Sequence, residues 1–296
     1  MYYQVGYDEE IAQVNRAIEY YMDWAEEFRT SSHEWEFILQ YYRGLLDPTQ
    51  VVKIRFRALF FAMRLQPVLS YITQFTKEHG RAPYILDLGC GFGLETTLLA
   101  LAGAKVHGID GWRPMIESAQ KRLASYQQRH NLELDLKFEY VNLFQFNAPQ
   151  AYDAVYSSAT LHHIEPVADG FKKIAEVMKP GAFFFLSDEN GYSPVQQLAV
   201  QKKIGWIKPR KYLRIDPETG QEYMYGNENI RAPFQWANHM QRVGLRPTAI
   251  KYCRFLPPLD WTVERLVSAE RRLRSMPLAA QLGAIGFLFI AQKETA

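Results

Sequence analysis

The sequence predicts an α/β protein, and two observations carry this prediction. Short apolar runs bounded by glycine, proline or polar residues indicate buried strands, and stretches with apolar residues every three or four positions indicate helices between them. Strands and helices that alternate in this way are typical of the α/β class. The predicted strands begin at Tyr84, Ala104, Leu136, Tyr152, Phe183, Thr248 and Gly286, and helices are predicted over 94–101, from near Pro114 and over 234–243.

The stretch YILDLGCGFG, residues 84–93, joins a buried strand to a helix through glycines at alternate positions. Because Gly89, Gly91 and Gly93 lack a Cβ atom, a ligand can approach the backbone closely and positive φ angles are accessible. A dinucleotide fingerprint would need a further glycine where Leu94 stands, and the Gly-Lys-Ser/Thr sequence of triphosphate-binding loops is missing. We therefore predict another kind of ligand, with a ligand-free strand-to-helix turn as the alternative.

The spacing D-x-G-x-G-x-G that begins at Asp87 resembles motif I of the class I S-adenosylmethionine-dependent methyltransferases, in particular of members that act on small molecules. The resemblance extends over roughly residues 84–293. It implies a Rossmann-like sheet of seven strands, mostly parallel with an antiparallel last strand, and it implies S-adenosyl-L-methionine as the cofactor. The glycine turn, Cys90 included, would then lie under the methionine part of the cofactor, and Asp87 would help to hold its ammonium group.

Further cofactor contacts are predicted at the ends of the next two strands. Asp110 ends the second strand, where a carboxylate can accept hydrogen bonds from both ribose hydroxyls, although it could instead cap the following helix. Trp112 is placed to cover an adenine face. Asn142 stands where the family often carries an acid for the adenine amino group, and its amide oxygen can accept the same hydrogen bond. The predicted contacts also include Gly111, Leu143 and Ser157.

Two adjacent histidines, His162 and His163, follow the fourth strand in a turn that resembles motif IV of small-molecule methyltransferases. Open α/β sheets bind ligands beyond the carboxyl ends of their strands, so both rings are predicted to face the point where cofactor and acceptor meet. Imidazole can take the proton of an attacking hydroxyl, although one ring could simply shape the turn. Asp188 and Glu189, after the fifth strand, are candidate partners of these histidines, with a solvated loop and helix cap as the alternative.

The chain divides into a helical N-terminal cap over residues 1–80, a methyltransferase core over 81–190 and 232–296, and a lid insertion over 191–231. The lid is longer than a simple connection needs, so we predict that it faces the substrate. A single amphipathic helix is predicted over 260–282, packed on the sheet, with a membrane surface or a partner as the alternative for its arginines. The lid carries a basic cluster, Lys208, Arg210, Lys211 and Arg214, which would recognise an anionic acceptor or would be an ordinary solvated face.

The amino-acid composition limits the kinds of partner and the cellular compartment that we expect for this protein. The 296 residues include 34 basic and 32 acidic side chains, a net charge of +2, so no overall field draws the protein to nucleic acid or to an anionic membrane. The two cysteines form neither a disulfide framework nor a zinc-ligand spacing, which indicates a reducing compartment, and we predict no metal ligands. The N-terminus does not resemble a secretory signal, and no apolar run is long enough for a transmembrane helix. We therefore expect a cytoplasmic protein.

These features predict methyl transfer to a small molecule, most simply to a hydroxyl with a histidine as general base, in natural-product, sugar or lipid metabolism. Transfer to nitrogen or carbon is the first alternative, and a non-catalytic module that only binds the cofactor is the second. A nucleic-acid methyltransferase is disfavoured, because residues 157–161 lack an Asn/Asp-Pro-Pro-aromatic motif. Transfer to protein arginine is disfavoured, because no pair of glutamates brackets a hairpin after the fourth strand. Self-association is compatible with the sequence.

Overall fold

The computed structural model describes residues 5–30, 51–205, 211–215, 220, 222–257 and 259–295. Lys208 and Arg210 of the predicted basic cluster lie outside these ranges. Two long helices, α1 (Tyr7–Thr30) and α2 (Val51–His79), precede the first strand. The other elements are β1 (Tyr84–Leu88), α3 (Leu94–Leu101), β2 (Lys105–Asp110), α4 (Arg113–His130), β3 (Leu136–Tyr140), β4 (Tyr152–Ser158), α5 (Val167–Val177), β5 (Met178–Glu189), α6 (Pro194–Ile204), β6 (Lys211–Ile215), β7 (Glu222–Gly226), α7 (Pro233–Gln241), β8 (Leu245–Cys253), α8 (Val263–Arg274), α9 (Pro277–Gly283) and β9 (Gly286–Lys293).

Seven of these strands form one sheet in the order β3-β2-β1-β4-β5-β9-β8. The strands from β3 to β5 in that order pair in parallel, whereas β9 pairs antiparallel with both β5 and β8. The prediction of a Rossmann-like, mostly parallel sheet with an antiparallel last strand is confirmed. Because the strand order reverses between β1 and β4, a crevice opens at the carboxyl ends of these strands, which is where open α/β sheets bind ligands.

Strand β1 shows why the central strands have continuous apolar sequences. Its neighbouring residues Ile85 and Leu86 are both fully buried, on opposite faces of the sheet. Ile85 belongs to the apolar cluster formed with α1 and α2, and Leu86 to the cluster formed with α5 and α7. Helices therefore cover both faces of the sheet and leave its strand ends as the place for a site.

The N-terminal helices are docked on the sheet and on the glycine turn. The Tyr71 hydroxyl donates to the backbone oxygen of Asp153 in β4 at 2.9 Å, and the Tyr20 hydroxyl donates to the backbone oxygen of Leu94 at 2.9 Å. The buried ring of Trp24 stacks on Phe92 in the glycine turn, with ring centroids 5.6 Å apart. The two helices thus support the crevice from behind.

The predicted lid forms helix α6 and a two-stranded hairpin, β6 and β7. The hairpin folds back onto the turn after β4, where Tyr225 forms a β-bridge with Ile164. A Cβ atom at Gly226 would lie 2.6 Å from the backbone oxygen of His162, so glycine is required for this approach. The hairpin therefore reaches the crevice beside the two histidines.

The prediction of one helix over 260–282 is wrong. The structure has two helices, α8 and α9, separated by Ser275 and Met276. Pro277 explains the break, because proline cannot continue a helix from its predecessor but suits the first position of a new one. As predicted, α8 buries apolar residues, Leu266 and Val267, against the core. Within the described ranges, no helix is both long and apolar enough to cross a bilayer.

Candidate active site

A cavity of about 380 Å³ opens at the carboxyl ends of β1, β2, β3 and β4. This volume lies within the usual range for small-molecule sites. Of the predicted cofactor contacts, the ones that line the cavity are Gly89, Gly91, Asp110, Gly111, Trp112, Asn142 and Leu143. The structure thus brings together residues from three separate stretches of the sequence.

Gly91 provides an open stretch of backbone in the cavity wall. Its φ is +54°, in the left-handed region that glycine tolerates best, and a Cβ atom there would meet no other atom within 4 Å. A side chain at this position would project into open space beside the site. The Gly91 N–H donates to Oδ2 of Asp110 at 3.0 Å, so the glycine turn is tied to the end of β2.

Asp110 holds two backbone groups and keeps acceptor capacity for a ligand. Besides the Gly91 bond, its Oδ1 accepts from the N–H of Trp112 at 2.9 Å. Burial raises the pKa of the carboxyl above its usual value, against these two hydrogen bonds. A carboxylate offers about four lone-pair sites, so two remain for ribose hydroxyls. The bare glycine turn and this carboxylate fit the nucleoside and amino-acid parts of S-adenosylmethionine.

Asp87 does not line the cavity. It is buried, and the Thr96 hydroxyl donates to its Oδ2 at 2.6 Å. Burial raises the pKa of Asp87 to about 7, with the Thr96 hydrogen bond opposing the shift. The predicted contact of Asp87 with the cofactor ammonium stays a prediction.

Three other predicted contacts also lie behind the cavity wall. Cys90 and Gly93 pack against Phe138, and a Cβ atom on Gly93 would lie 2.4 Å from that ring. Ser157 is fully buried and donates from its hydroxyl to the backbone oxygen of Leu88 at 3.0 Å. These residues hold the turn in shape, and their direct contact with the cofactor stays a prediction.

The predicted adenine contacts, Trp112 and Asn142, line the cavity at the ends of β2 and β3. The side-chain oxygen of Asn142 accepts from the backbone N–H of Phe144 at 2.9 Å and retains a second lone pair. Trp112 remains 38% exposed at the rim of the cavity. Both residues line the cavity, and their contact with an adenine ring stays a prediction.

His163 lines the same cavity. Its Nδ1 lies 3.1 Å from the backbone oxygen of Gly226, and because a carbonyl only accepts, Nδ1 carries the proton and Nε2 the lone pair. The ring stacks on Tyr225 of the lid hairpin, with centroids 4.8 Å apart. Burial, followed by the charge of His162, lowers the pKa of His163 to about 4. His163 is therefore neutral at physiological pH.

His162 lies beside His163 but is buried, and it does not line the cavity. The two ring centroids are 4.1 Å apart. Nδ1 of His162 donates to Oδ1 of Asp188 at 2.7 Å, which brings one of the two predicted carboxylates to the histidine pair. Burial opposes protonation of His162, but the charge and hydrogen bond of Asp188 outweigh it and raise the pKa. Glu189 instead accepts from the Gln196 amide, and burial raises its pKa.

The lid hairpin supplies Arg214 of the predicted basic cluster and two residues without a predicted role, Met224 and Tyr225. Met224, Tyr225 and Arg214 line the cavity from the hairpin, and the Arg214 guanidinium lies 3.9 Å above the Tyr225 ring. Thr160 lines it from the turn after β4. The alternation of basic and aromatic residues in the hairpin is the signal that could have drawn attention to it, but no local pattern shows where a hairpin docks.

A larger cavity, about 780 Å³, lies elsewhere, lined by residues such as Glu10, Gln66 and Lys251. It contains neither the glycine turn nor a predicted site residue. The cavity of about 380 Å³ is therefore the candidate site, because the glycine turn, Asp110 and His163 all line it.

Comparison with known proteins supports this assignment. Residues 86–184 match the family model of a methyltransferase domain. The ubiquinone biosynthesis O-methyltransferase of Bordetella pertussis is 28% identical over 177 residues, which cover 58% of this chain and 66% of that enzyme. Its counterpart in Yersinia pestis is 33% identical over 138 residues, which cover 43% of this chain and 51% of that enzyme. The chain thus spans about half to two thirds of the length of these curated relatives.

Two solved structures share the fold. Magnesium protoporphyrin IX methyltransferase from Synechocystis, solved with bound S-adenosylhomocysteine, has a TM-score of 0.53 at 18% identity, over 93% of this chain and all of that one. A methyltransferase from Methanosarcina mazei has a TM-score of 0.51 at 20% identity, over 73% of this chain and 94% of that one. The domain match, the strand order and the glycine turn together identify a methyltransferase domain of the S-adenosylmethionine-dependent type in this chain, with residues 86–184 matched by the family model.

Proposed function

We propose that the protein transfers the methyl group of S-adenosylmethionine to a hydroxyl group of a small molecule, with His163 as the general base. The observation that supports the proposal is the place of the His163 ring. It lines the same cavity as Gly91 and Asp110, and its Nε2 carries the lone pair. The names of the curated relatives, ubiquinone biosynthesis O-methyltransferases, accord with an oxygen acceptor.

We assign the cofactor to the wall formed by the glycine turn and the ends of β2 and β3. When bound, S-adenosylmethionine supplies a methyl group activated by the sulfonium. Gly91 admits the amino-acid part to the backbone, Asp110 accepts from the ribose hydroxyls, and Trp112 and Asn142 face the adenine. The acceptor then lies between this wall and the lid hairpin.

Methyl transfer is an in-line displacement, so the protein mainly has to align the acceptor and receive one proton. The acceptor oxygen would form a bond to the methyl carbon while the carbon–sulfur bond breaks. The electron pair of the carbon–sulfur bond would stay on sulfur. The hydroxyl proton moves to Nε2 of His163. The nearby carboxylates of Glu228 and Asp188 stabilise the imidazolium that forms.

Asp188 acts as a positioning residue in this proposal. Its hydrogen bond fixes the ring of His162, and the His162 ring in turn packs against His163. Arg214, from the described part of the predicted basic cluster, lines the cavity, and we assign it to an acidic or other electron-rich group of the acceptor. Glu189 adds negative charge near His162.

The test uses cofactor labelled in the methyl group, offered with a panel of small-molecule hydroxyl compounds and cell extracts. The proposal expects an O-methylated small molecule. It also expects His163→Gln to lower kcat by about 10²–10⁴-fold with an unchanged Kd for the cofactor. The control is His130→Gln, an exposed histidine paired with Asp23.

Three outcomes would contradict the proposal. Label on nitrogen or carbon would identify a different acceptor atom. Label that stays bound to the protein would indicate a cofactor-binding module. Full turnover of the His163→Gln enzyme would exclude this residue as the base.

A further inference from the structure

We propose that His162, His163 and Glu228 bind one divalent transition-metal ion of the Zn²⁺ class, and that the bound ion switches methyl transfer off. The binding site itself is independent of the proposed function. Only the inhibition rests on the proposed function, because the bound ion can inhibit methyl transfer in this way only if His163 is the general base. The sequence predicts no metal ligands, so the site depends entirely on how the lid folds back onto the turn after β4.

The three side chains converge. A ring nitrogen of each histidine and a carboxylate oxygen of Glu228 lie within 4.8 Å of one another. Nδ1 of His162 is committed to Asp188 and Nδ1 of His163 to the Gly226 carbonyl, so each ring offers Nε2. Metal-bound histidines characteristically donate their other N–H to a carboxylate or a backbone carbonyl, which fixes the ring for the metal. Both supporting hydrogen bonds are already in place.

Glu228 is held toward the histidines by an uncommon backbone conformation. Its φ is +53°, a left-handed value that is rare for glutamate and persists where the surroundings impose it. The next residue fixes this turn, because the N–H of Asn229 donates to the backbone oxygen of His162 at 3.0 Å. Oε1 of Glu228 bonds Nζ of Lys203 at 2.5 Å, and the second oxygen is left for an ion.

The charges around the pair favour a cation. Asp188, Glu189 and Glu228 all act electrostatically on His162, and all three side chains are at least half buried. Lys203 is the ammonium bonded to one of them. The imidazolium form of His162, which Asp188 favours, is the other cation here, so three carboxylates face two cationic groups. A metal ion at Nε2 of His162 would replace that proton and keep positive charge beside the carboxylates.

The ligand set selects the metal. Imidazole nitrogens suit zinc, iron, nickel and copper, whereas Mg²⁺ prefers oxygen ligands and retains its waters. At about 2.1 Å from the ion, tetrahedral ligands lie roughly 3.4 Å apart, so the three atoms, now within 4.8 Å of one another, must close in by up to about 1.4 Å. Rotation of the Glu228 side chain can supply much of this movement. Three protein ligands leave a fourth position open toward the cavity, since His163 lines it.

A metal bound to Nε2 of His163 occupies the lone pair that would take the acceptor proton. Metal and proton therefore compete for one site, and the metal-loaded protein has no base at the cavity. The consequence is inhibition by micromolar or lower free Zn²⁺ but not by Mg²⁺, provided that the ion is seated on all three ligands.

The test is calorimetric titration of the full chain, freed of metal with a chelator, with Zn²⁺ alone and in parallel with Mg²⁺. The proposal expects the protein to bind one equivalent of Zn²⁺ per chain and to bind no Mg²⁺. It expects Glu228→Gln and His163→Gln each to weaken Zn²⁺ binding by at least about tenfold, as loss of ligands or their supports does. His130→Gln is the control for adventitious surface binding, and circular dichroism checks that each variant is folded.

The outcomes separate the two proposals. Absence of stoichiometric Zn²⁺ binding, or equal affinity in the wild type and in Glu228→Gln, would overturn the metal site and leave the proposed function standing. Tight binding that is lost in both variants but does not inhibit an active enzyme would retain the metal site. It would overturn the inhibition and the role of His163 as base. Both proposals would be supported if Zn²⁺ inhibited methyl transfer at concentrations near its calorimetric Kd. In Glu228→Gln, the inhibition should then weaken by the same factor as Zn²⁺ binding.

Discussion

The backbone N–H of Gly91 donates a hydrogen bond to Oδ2 of Asp110 at 3.0 Å. The bond joins the loop after β1 to the end of β2. It therefore links the glycine turn directly to the carboxylate that is proposed to bind the ribose. The open backbone and the ribose acceptor therefore keep a fixed separation in the protein before any ligand binds. Such preorganisation reduces the entropy cost of binding.

Substitution of Gly91 by valine is expected to abolish binding of S-adenosylhomocysteine, measured by calorimetry. The new side chain would project into open space beside the proposed cofactor wall, and φ of +54° is unfavourable for a branched residue. Gly80→Val is a matched control, because Gly80 also has a positive φ, +66°, with open space around it, but lies at the end of α2. Both variants should lose similar stability, about 1–3 kcal/mol, and only the first should lose the ligand. Equal affinity of the two variants would refute the role of the glycine turn.

Replacement of Asp110 by asparagine is expected to weaken cofactor binding by about 10–100-fold. A hydrogen bond to a charged group contributes about 1.5–3 kcal/mol, and asparagine offers one acceptor oxygen where aspartate offers two. The matched control is Asp135→Asn, because Asp135 has 68% of its side chain exposed and lies beyond the cavity. An unchanged Kd for Asp110→Asn, measured by calorimetry beside the control, would remove the ribose assignment.

Loss of the Tyr225 ring is expected to impair catalysis more than cofactor binding. The ring stacks on His163 and carries the Arg214 guanidinium on the same hairpin. Tyr225→Ala should raise the KM for the acceptor and lower kcat, because the lid hairpin loses its packing on the turn after β4. Tyr225→Phe keeps the ring and should behave as the wild type in steady-state kinetics. If alanine and phenylalanine gave the same kinetic constants, the stack would have no part in the site.

Stability should fall in acid through Asp153, which lies away from the cavity. Burial opposes its ionisation, but hydrogen bonds from Arg81, Lys179 and the backbone N–H of Tyr84 outweigh burial and lower the pKa to about 2. Because the folded pKa lies below the unfolded value, near 3.9, the stabilisation is complete above about pH 5 and is lost as pH falls toward 2. Its full size is roughly 2.5 kcal/mol.

The measurement is urea unfolding at a series of pH values for Asp153→Asn and the wild type. The difference in the free energy of unfolding should be large at neutral pH and should shrink in acid. Asp169→Asn is the control, because Asp169 is half exposed and paired with Lys172 on the surface. A difference independent of pH would show that the carboxylate charge contributes nothing.

The fold was accessible from the sequence because its signals are local. Alternating strands and helices, and the glycines after Leu88, are each encoded within ten or twenty residues. Pro277 was also a local signal, but the amphipathic period across it favoured one long helix. The break shows that the missing N–H of proline prevails over a continuous apolar stripe.

The candidate site was accessible only in part. The hydrogen bond between His162 and Asp188 could be anticipated, because His162 follows β4 and Asp188 lies at the carboxyl end of the neighbouring parallel strand β5. The contact between His163 and the lid spans 63 positions, and no periodicity encodes where a hairpin docks. Likewise, the spacing around Asp87 could not show that its carboxylate is buried against Thr96, behind the cavity wall.

The most direct test of the account is a crystal structure of the protein with S-adenosylhomocysteine. The account predicts the ribose hydroxyls at hydrogen-bond distance from Asp110, the amino-acid part on Gly91, and the sulfur facing His163 across room for an acceptor. A nucleoside bound outside this cavity, or a sulfur turned away from His163, would contradict it.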